Sequence, residues 1–127
     1  MNRSEYESMV RDAYSVSGDR PFGDDQSVLI FRHSDNKKWF AAVMTIPKIK
    51  LGIKDGGRID VVNLKCAQDI IDSMWLENGV YPAYHMNKKH WLTVALDGRA
   101  SDATVRFLTE ISYDLTKNKL KKKASQK

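Results

Sequence analysis

Cross-links and membrane spans are what this sequence lacks. It has a single cysteine, Cys66, which cannot form a disulfide within the chain and is typical of a reducing compartment. No hydrophobic run approaches the roughly 18 apolar residues that a membrane helix requires. The chain turns polar and acidic directly after Met1, which is not the pattern of an export signal. We therefore expect a soluble, cytoplasmic protein with no membrane partner.

Residues that promote disorder are scarce. Three prolines and seven glycines stand against a hydrophobic fraction of 42%, a balance that is typical of globular domains. A chain of 127 residues has the length of one domain and can bury roughly two thirds of its unfolded surface. We predict a single domain over residues 1–116, followed by a basic, disordered tail over 117–127.

Acidic residues are absent from residues 117–127, which carry six of the chain's 21 basic residues. The remaining 15 basic and 16 acidic residues leave 1–116 with a net charge of −1. The overall charge of +5 and the pI of 9.3 therefore come from the tail. A generally basic domain surface is excluded, so any binding of nucleic acid by the domain must depend on local clusters of lysine and arginine.

Apolar residues recur three and four positions apart in segments that predict three helices: 4–17, 67–77 and 101–116. Ser4 and Glu7 have the spacing of a capping box, and Ser101 is a good N-cap for the last helix. In the middle helix we expect four buried residues: Ile70, Ile71, Met74 and Trp75.

Short apolar runs rich in strand-forming residues predict four strands: 27–33, 38–46, 58–65 and 90–96. A further strand around 84–86 precedes the last one across a short polar turn. Because nearly all connections are hairpin-like, the sheet should be antiparallel. The predicted fold is α+β in two layers, with about five strands, three helices on one face of the sheet and the order α-β-β-β-α-β-β-α.

Residues 48–54 alternate apolar and basic side chains with a period of two. This pattern predicts a strand with Ile49, Leu51 and Ile53 on one face and three lysines on the other. Asp55-Gly56-Gly57 then forms a hairpin turn. The candidate anion-binding residues of this segment are Lys48, Lys50, Lys54 and Arg58. Alternate residues of a strand lie about 7 Å apart, so three lysines on one face suit a row of phosphates, although lysines on a solvated face also protect sheet edges.

The densest polar and aromatic cluster lies in residues 84–91. With a two-residue turn at Asn87-Lys88, the facing pairs are Met86 with Lys89, His85 with His90, and Tyr84 with Trp91. Lys88 and Lys89 at the tip can attract a phosphate. Behind them an aromatic and imidazole surface can stack on a base: Tyr84, His85, His90 and Trp91. The alternative is a tip whose lysines only protect an edge, with Tyr84 and Trp91 in or near the core.

Catalytic chemistry has little support in the sequence. His85 and His90 lack the further ligands that a metal ion needs, and Cys66 has the surroundings of a small buried hydrophobe. The glycines form no phosphate loop, and no carboxylate pair has the fixed spacing of an acid–base site. We predict a protein that is not an enzyme, with no catalytic residues, no metal and no cofactor.

Several segments carry a family signature: 61–66, 79–94 with its run His85-Met86-Asn87-Lys88-Lys89-His90-Trp91, and 112–115. They resemble the MmcQ/YjbR family over most of residues 4–116. The resemblance implies a CyaY-like or secretion-chaperone-like α+β fold and a double wing of β-hairpins suspected of binding DNA. Here the wings would be the hairpins that turn at 55–57 and 87–88.

The sequence supports two functional hypotheses. The leading one is a non-catalytic module that binds DNA, or another nucleic acid or polyanion, weakly and with strong salt dependence through the two lysine clusters and the tail. The alternative is a small adaptor that binds a protein or a small anionic ligand on its sheet surface around Tyr84, His85 and Trp91. Exposed lysines on one face would favour the first, and a concave aromatic pocket would favour the second.

Overall fold

An antiparallel sheet of five strands carries three helices in the computed structural model, which describes residues 1–118. The elements are, in chain order, α1 (Arg3–Tyr14), β1 (Leu29–Arg32), β2 (Trp39–Pro47), β3 (Arg58–Lys65), α2 (Gln68–Ser73), β4 (Val80–Pro82), β5 (Trp91–Ala95) and α3 (Asp102–Thr116). The strands lie in the order β1-β2-β3-β5-β4, and each neighbouring pair is antiparallel. The predicted α+β class and element order are confirmed. The predicted tail lies outside the described residues from position 119 onward.

All three helices contribute to one core on one face of the sheet. The buried residues that they supply are Tyr6, Val10, Ile71, Val105 and Leu108. The strands supply alternate residues, because successive side chains of a strand point to opposite faces. Those residues include Leu29, Phe31, Val43, Val62, Leu64, Leu92 and Val94. The predicted placement of the helices on one face is confirmed.

Phe40 lies at the centre of an aromatic group in this core. Phe40 is the extra residue of a β-bulge in β2, opposite the register shift between Phe31 and Arg32 of β1. Its fully buried ring lies 5.0 Å from the Tyr113 ring and 5.6 Å from the Tyr14 ring, measured between centroids. This group ties α1 and α3 to the sheet.

The capping box of α1 starts at Asn2, not at Ser4 as predicted. The Asn2 side chain accepts a hydrogen bond from the Glu5 N–H over 2.9 Å, and the Glu5 carboxylate accepts one from the Asn2 N–H over 2.8 Å. α1 also ends three residues earlier than predicted, because Ser15 adopts a left-handed conformation with φ 53°. Ser101 caps α3 as predicted.

α2 is shorter than predicted, and Trp75 is not buried. The regular helix has six residues, and Met74–Leu76 continues as a 3-10 turn. A 3-10 helix has three residues per turn instead of the 3.6 of an α-helix, so Trp75 no longer lies on the buried apolar face of α2. Its side chain is 43% exposed. Ile71 is fully buried, whereas Ile70 and Met74 pack against the core while partly buried.

None of the three α-helices covers the opposite face of the sheet, which we call the helix-free face. A smaller cluster of buried residues lies there: Ile46, Ile59, Val61 and Ala95. Leu51 and Ile53 from the β2–β3 connection pack on this cluster, and so does Tyr84 from the β4–β5 connection. Two loops therefore cover part of the helix-free face.

The predicted strand over 48–54 is wrong. Lys48–Leu51 forms a 3-10 turn, and Gly52 follows in the left-handed region at φ 79°. β2 ends at Pro47, the Lys48 N–H still donates to the Gly57 carbonyl over 3.0 Å, and Gly52 in its left-handed conformation then turns the chain back. Ile49 is 61% exposed, so the apolar side chains of this segment do not share one buried face.

Both edge strands of the sheet are short. β1 has four residues, and its outer side is bridged by Asp19, which exchanges two backbone hydrogen bonds with Ile30. β4 has three residues and ends at Pro82, which lacks an N–H. The long strands, β2 and β3, lie inside the sheet.

Candidate functional site

The segment between β4 and β5 does not form the predicted two-residue hairpin. β4 pairs with β5 through Val80–Pro82 alone, and residues 83–90 form a longer connection. Pairing stops at Pro82 because the Trp91 N–H, which would bond to Ala83 next, donates instead to the Asn87 carbonyl over 2.9 Å. His85 then adopts a left-handed conformation with φ 57°. The tight turn lies nearer β5, where Asn87 Oδ1 accepts from the Lys89 N–H over 2.9 Å. The expected cross-strand pairs are wrong: Met86 with Lys89, His85 with His90, and Tyr84 with Trp91.

Tyr84 and His85 form a stacked ring pair on the helix-free face. The ring centroids are 4.0 Å apart, and the ring planes differ by 8°. Two buried side chains hold the backbone of Tyr84: its N–H donates to Thr93 Oγ1, and its carbonyl accepts from Asn63 Nδ2, each over 2.9 Å. Thr93 Oγ1 in turn donates to Asn63 Oδ1 over 2.5 Å. This closed network fixes the ring pair against β3 and β5.

The backbone of His85 is strained. Non-glycine residues seldom adopt the left-handed conformation, and holding one there costs about 1–3 kcal/mol. Such strain persists where the surroundings over-determine the backbone, and it concentrates at functional sites. The hydrogen bonds of Asn63 and Thr93 to the preceding residue, Tyr84, provide that constraint here.

The β2–β3 and β4–β5 connections, which both carry lysines, meet beside the ring pair. They line a concavity of about 340 Å³ that we call the lysine cavity. Its lining includes Lys50, Leu51, Ala83, Tyr84, His85 and Lys88. Lys50 and Lys88 are exposed, and within residues 1–118 their ammonium groups form no ion pair. The sequence predicted these lysines in two separate clusters, and the fold brings them together.

A larger cavity of about 500 Å³, which we call the apolar cavity, shares the ring pair as part of its wall. Its apolar lining includes Phe22, Ile30, Trp39, Met44, Ile46 and Met86. Asp25, Arg58 and Asn63 add polar groups. A concave, mostly apolar cavity of this volume with a few polar groups is typical of sites that bind small ligands.

The other predicted basic residues do not form the expected row. The Lys48 ammonium lies 3.4 Å from the Asp55 carboxylate, while Lys54 and Lys89 are exposed and line neither cavity. Arg58 lines the apolar cavity and donates from Nη2 to a backbone carbonyl of β2 over 2.8 Å. The predicted row of three lysines on one strand face is therefore wrong, because the segment is not a strand.

His90 and Trp91 line neither of the two cavities. His90 is exposed, and Trp91 is half-buried at the start of β5, in a separate depression beside Lys38 and Lys65. Trp91 belongs to neither buried cluster. The predicted aromatic and imidazole surface is thus divided, because the eight residues between the strands do not bring His90 and Trp91 opposite the ring pair.

Sequence reasoning missed the aromatic wall that Phe22 and Trp39 give to the apolar cavity. Their rings meet edge to face with centroids 6.2 Å apart. It also missed Asn63 and Thr93, although the sequence around Asn63 held one indication of a buried polar group. Asn63 is a lone amide within the apolar run of β3, and a buried amide needs hydrogen-bond partners.

Cys66 is buried in the helix-side core, as predicted for a small hydrophobe. Burial raises the pKa of its thiol to about 11, so the reactive thiolate is scarce at neutral pH. In the described part of the chain, no group of three or more His, Cys, Asp or Glu side chains could hold a metal ion. Over the same residues, no helix is long and apolar enough to cross a membrane.

Comparison with known proteins places the chain in a family, because the YjbR family model matches residues 11–115. The chain belongs to the YjbR family. The uncharacterized protein YyaQ of Bacillus subtilis (strain 168) is 33% identical over 117 residues, which are 92% of this chain and 99% of that protein. The uncharacterized protein YjbR of Escherichia coli (strain K12) is 30% identical over 100 residues, 77% of this chain and 79% of that protein. The resemblance seen in the sequence is confirmed.

The fold of this YjbR-family chain recurs in solved structures. A crystal structure of a Pseudomonas syringae protein matches with a TM-score of 0.89 and 40% identity, and the match covers 92% of this chain and 100% of that one. A solution NMR structure from the same species has a TM-score of 0.84 at 40% identity and covers 92% and 94% of the two chains. The Deinococcus radiodurans protein DR2400, with a DUF419 domain, has a TM-score of 0.64 at 22% identity over 90% of this chain and 77% of that one. That last likeness is one of fold alone.

Proposed function

We propose that this YjbR-family protein binds single-stranded nucleic acid on its helix-free face and catalyses no reaction. The observation that carries the proposal is the meeting of Lys50 and Lys88, from two different loops, in one cavity with the Tyr84–His85 ring pair. Ammonium groups attract backbone phosphates, and aromatic rings stack on exposed bases. A single strand offers both kinds of group at once. A cytoplasmic location, which we also propose, would give the protein access to such strands.

A single strand suits this geometry better than a duplex does. Duplex bases are already stacked inside the double helix, so a ring pair beside a cavity finds no base to stack on, whereas unpaired bases can reach aromatic side chains. The loops that the family resemblance presents as two separate wings line one cavity here. Single-stranded DNA is therefore our preferred form of the DNA ligand that the resemblance implies.

Binding should be weak and sensitive to salt. Residues 1–116 carry a net charge of −1, so attraction to a polyanion must come from the lysine cavity and from the tail lysines. Each phosphate that a single strand brings to a lysine lowers the slope of log K against log salt by about 0.7. The two lysines of the cavity should therefore contribute about −1.4 to that slope.

Fluorescence anisotropy with a labelled single-stranded oligonucleotide and its duplex, at 50 and 200 mM salt, tests the proposal. We expect tighter binding to the single strand, and the variant Lys50→Gln/Lys88→Gln should lose the slope contribution of the two cavity lysines. Lys37→Gln/Lys38→Gln is the matched control, because both lysines are exposed at the far end of β2 from Lys50. That control variant should bind as the unmodified protein does.

A further full-length variant with the lysines at 119, 121, 122, 123 and 127 changed to Gln separates the tail from the domain. If this variant loses all binding while Lys50→Gln/Lys88→Gln binds normally, the lysine cavity is not a nucleic-acid site. The lysine cavity is also ruled out if Lys50→Gln/Lys88→Gln and the control Lys37→Gln/Lys38→Gln lose affinity equally. The domain proposal stands if the cavity variant loses affinity while its tail is intact.

An adaptor role is the second candidate, and the apolar cavity is the observation that favours it. Its Phe22 and Trp39 rings could receive an apolar side chain of a partner protein or the ring of a small anionic ligand. This candidate takes the lead if no oligonucleotide binds in a manner that depends on Lys50 and Lys88.

A further inference from the structure

The lysine cavity and the apolar cavity share two residues, Tyr84 and His85. We infer that the two cavities are the halves of one nucleotide site, in which the apolar cavity takes the base and the lysine cavity takes the phosphate. This inference rests on the proposed function and deepens it, because it gives the bound strand one base that leaves the stack and enters the protein. The same chemistry also fits a free nucleotide.

The apolar half has the shape and lining that a planar ring requires. Ile30 and Ile46 are buried and form part of its floor, while Phe22, at 41% exposure, and Trp39 form an aromatic wall. The Tyr84–His85 ring pair stands on another side, so aromatic surface lies on more than one side of the space. Aromatic surface binds bases of any identity, because every base has a π face.

Polar groups in the apolar half suit the edge of a base better than a phosphate. The Asp25 carboxylate accepts hydrogen bonds from the Ser27 hydroxyl and N–H, and these bonds hold the pKa of Asp25 below its usual value, so it stays negative. A negative carboxylate repels a phosphate but can accept from a base N–H. Arg58 makes one hydrogen bond within residues 1–118, which leaves further N–H groups for an acceptor on the base.

The lysine half supplies the net positive charge that the apolar half lacks, because the Arg58 guanidinium there is balanced by the Asp25 carboxylate. Lys50 and Lys88 approach from different loops, and no acidic residue lines this cavity. The Asp25 carboxylate at one cavity and the two ammonium groups at the other give the whole site a direction. A ligand with an apolar ring at one end and a phosphate at the other matches that direction.

NMR spectra of the ¹⁵N-labelled full-length chain with adenosine, adenosine monophosphate and inorganic phosphate test the inference. The indole N–H of Trp39, assigned with Trp39→Phe, reports on the apolar half, and the backbone N–H of Lys50 and Lys88 reports on the lysine half. Adenosine should shift the Trp39 signal and phosphate the lysine signals. The monophosphate should shift both and bind at least tenfold more tightly than either.

Oligonucleotides that carry a base at every position, and matching strands made of abasic sites, extend the test to a strand. The base-bearing strand should bind several-fold more tightly than an otherwise identical strand of abasic sites. Phe22→Ala should remove most of that difference by loss of the aromatic wall. Phe107→Ala is the matched control, because Phe107 is 51% exposed on α3, on the other side of the sheet, and it should leave the difference unchanged.

The outcomes separate this inference from the proposed function. If strands bind through Lys50 and Lys88 with a preference for base-bearing strands that Phe22→Ala leaves unchanged, and the monophosphate leaves Trp39 unshifted, the two-part site is wrong. The nucleic-acid proposal, with bases stacked on the ring pair, then stands. If the monophosphate shifts both halves but no strand binds, the two-part site stands for free nucleotides and the nucleic-acid proposal falls. If neither nucleotide nor strand binds, both are overturned.

Discussion

Thr93 of β5 lies directly opposite Asn63 of β3, and its hydroxyl donates to the Asn63 side-chain carbonyl over 2.5 Å. Both residues are fully buried, and together they satisfy the N–H and the carbonyl of Tyr84. The sheet interior thereby sets the position of an exposed loop. A polar pair in the middle of two apolar strands connects the stability of the fold to the geometry of the candidate site.

Replacing Thr93 by Val should destabilise the protein by about 1–3 kcal/mol, because the Tyr84 N–H loses its acceptor and the Asn63 carbonyl loses its donor. Urea denaturation measures the free energy of unfolding. Thr93→Ser keeps the hydroxyl and removes one methyl group, so it should cost less than Thr93→Val. Equal losses for the two variants would show that the hydrogen bonds contribute nothing measurable.

Replacing His85 by Gly should leave the free energy of unfolding within about 1 kcal/mol of its original value, because glycine adopts φ 57° without strain. Loss of the imidazole ring should weaken oligonucleotide binding several-fold. His90→Gly is the control, since His90 is exposed and lines neither cavity. A His85→Gly variant that binds as tightly as the original protein would remove His85 from the site.

Replacing Phe40 by Ala should cost about 3–5 kcal/mol, because a fully buried ring that contacts two helices leaves a cavity behind. Trp91→Ala should cost clearly less, since Trp91 is half-buried and outside both clusters. Thermal and urea unfolding of the two variants give the comparison. The ranking would be wrong if Trp91→Ala proved the more damaging change.

Cys66 should react with iodoacetamide at pH 8 about a hundredfold more slowly in the native protein than in the urea-unfolded chain, because each unit of pKa is a tenfold change in thiolate. Glutathione in the same solutions corrects for the effect of urea on the reagent. The raised thiol pKa also means that the unfolded chain ionises first. This residue should therefore contribute to a loss of stability as pH rises from about 9 towards 11. Equal alkylation rates would place Cys66 outside the core.

The parts of the fold that the sequence predicted are those with long, regular patterns. β3 begins at Arg58 and ends at Lys65 as predicted, and α3 follows its apolar stripe from the Ser101 cap. The strand over 48–54 failed because seven alternating residues fit a strand and a loop equally well, and Gly52 decided between them. The hairpin over 84–91 failed because the register is set by the short strand β4, which carries little pattern of its own.

The members of the candidate site were largely visible in the sequence, but their grouping was not. Tyr84 and His85 are neighbours in the chain, and Lys50 and Lys88 stood out as parts of basic clusters. Their meeting depends on how two loops fold over the helix-free face, which local patterns do not encode. Phe22 lies in a segment without periodicity, so its role in the apolar cavity had no local signal.

The short outer strands of the sheet limit the kinds of partner that the protein can recruit. An extended peptide often binds by adding itself as a new strand to an exposed sheet edge, through main-chain hydrogen bonds. Asp19 already occupies part of one edge, and at the other the three residues of β4 end in a proline. Neither edge offers a long template for β-augmentation or for edge-to-edge self-association. Any partner that docks on this sheet must therefore meet side chains on its face, so specificity lies in residues that substitution can change without disturbing the strand ladder.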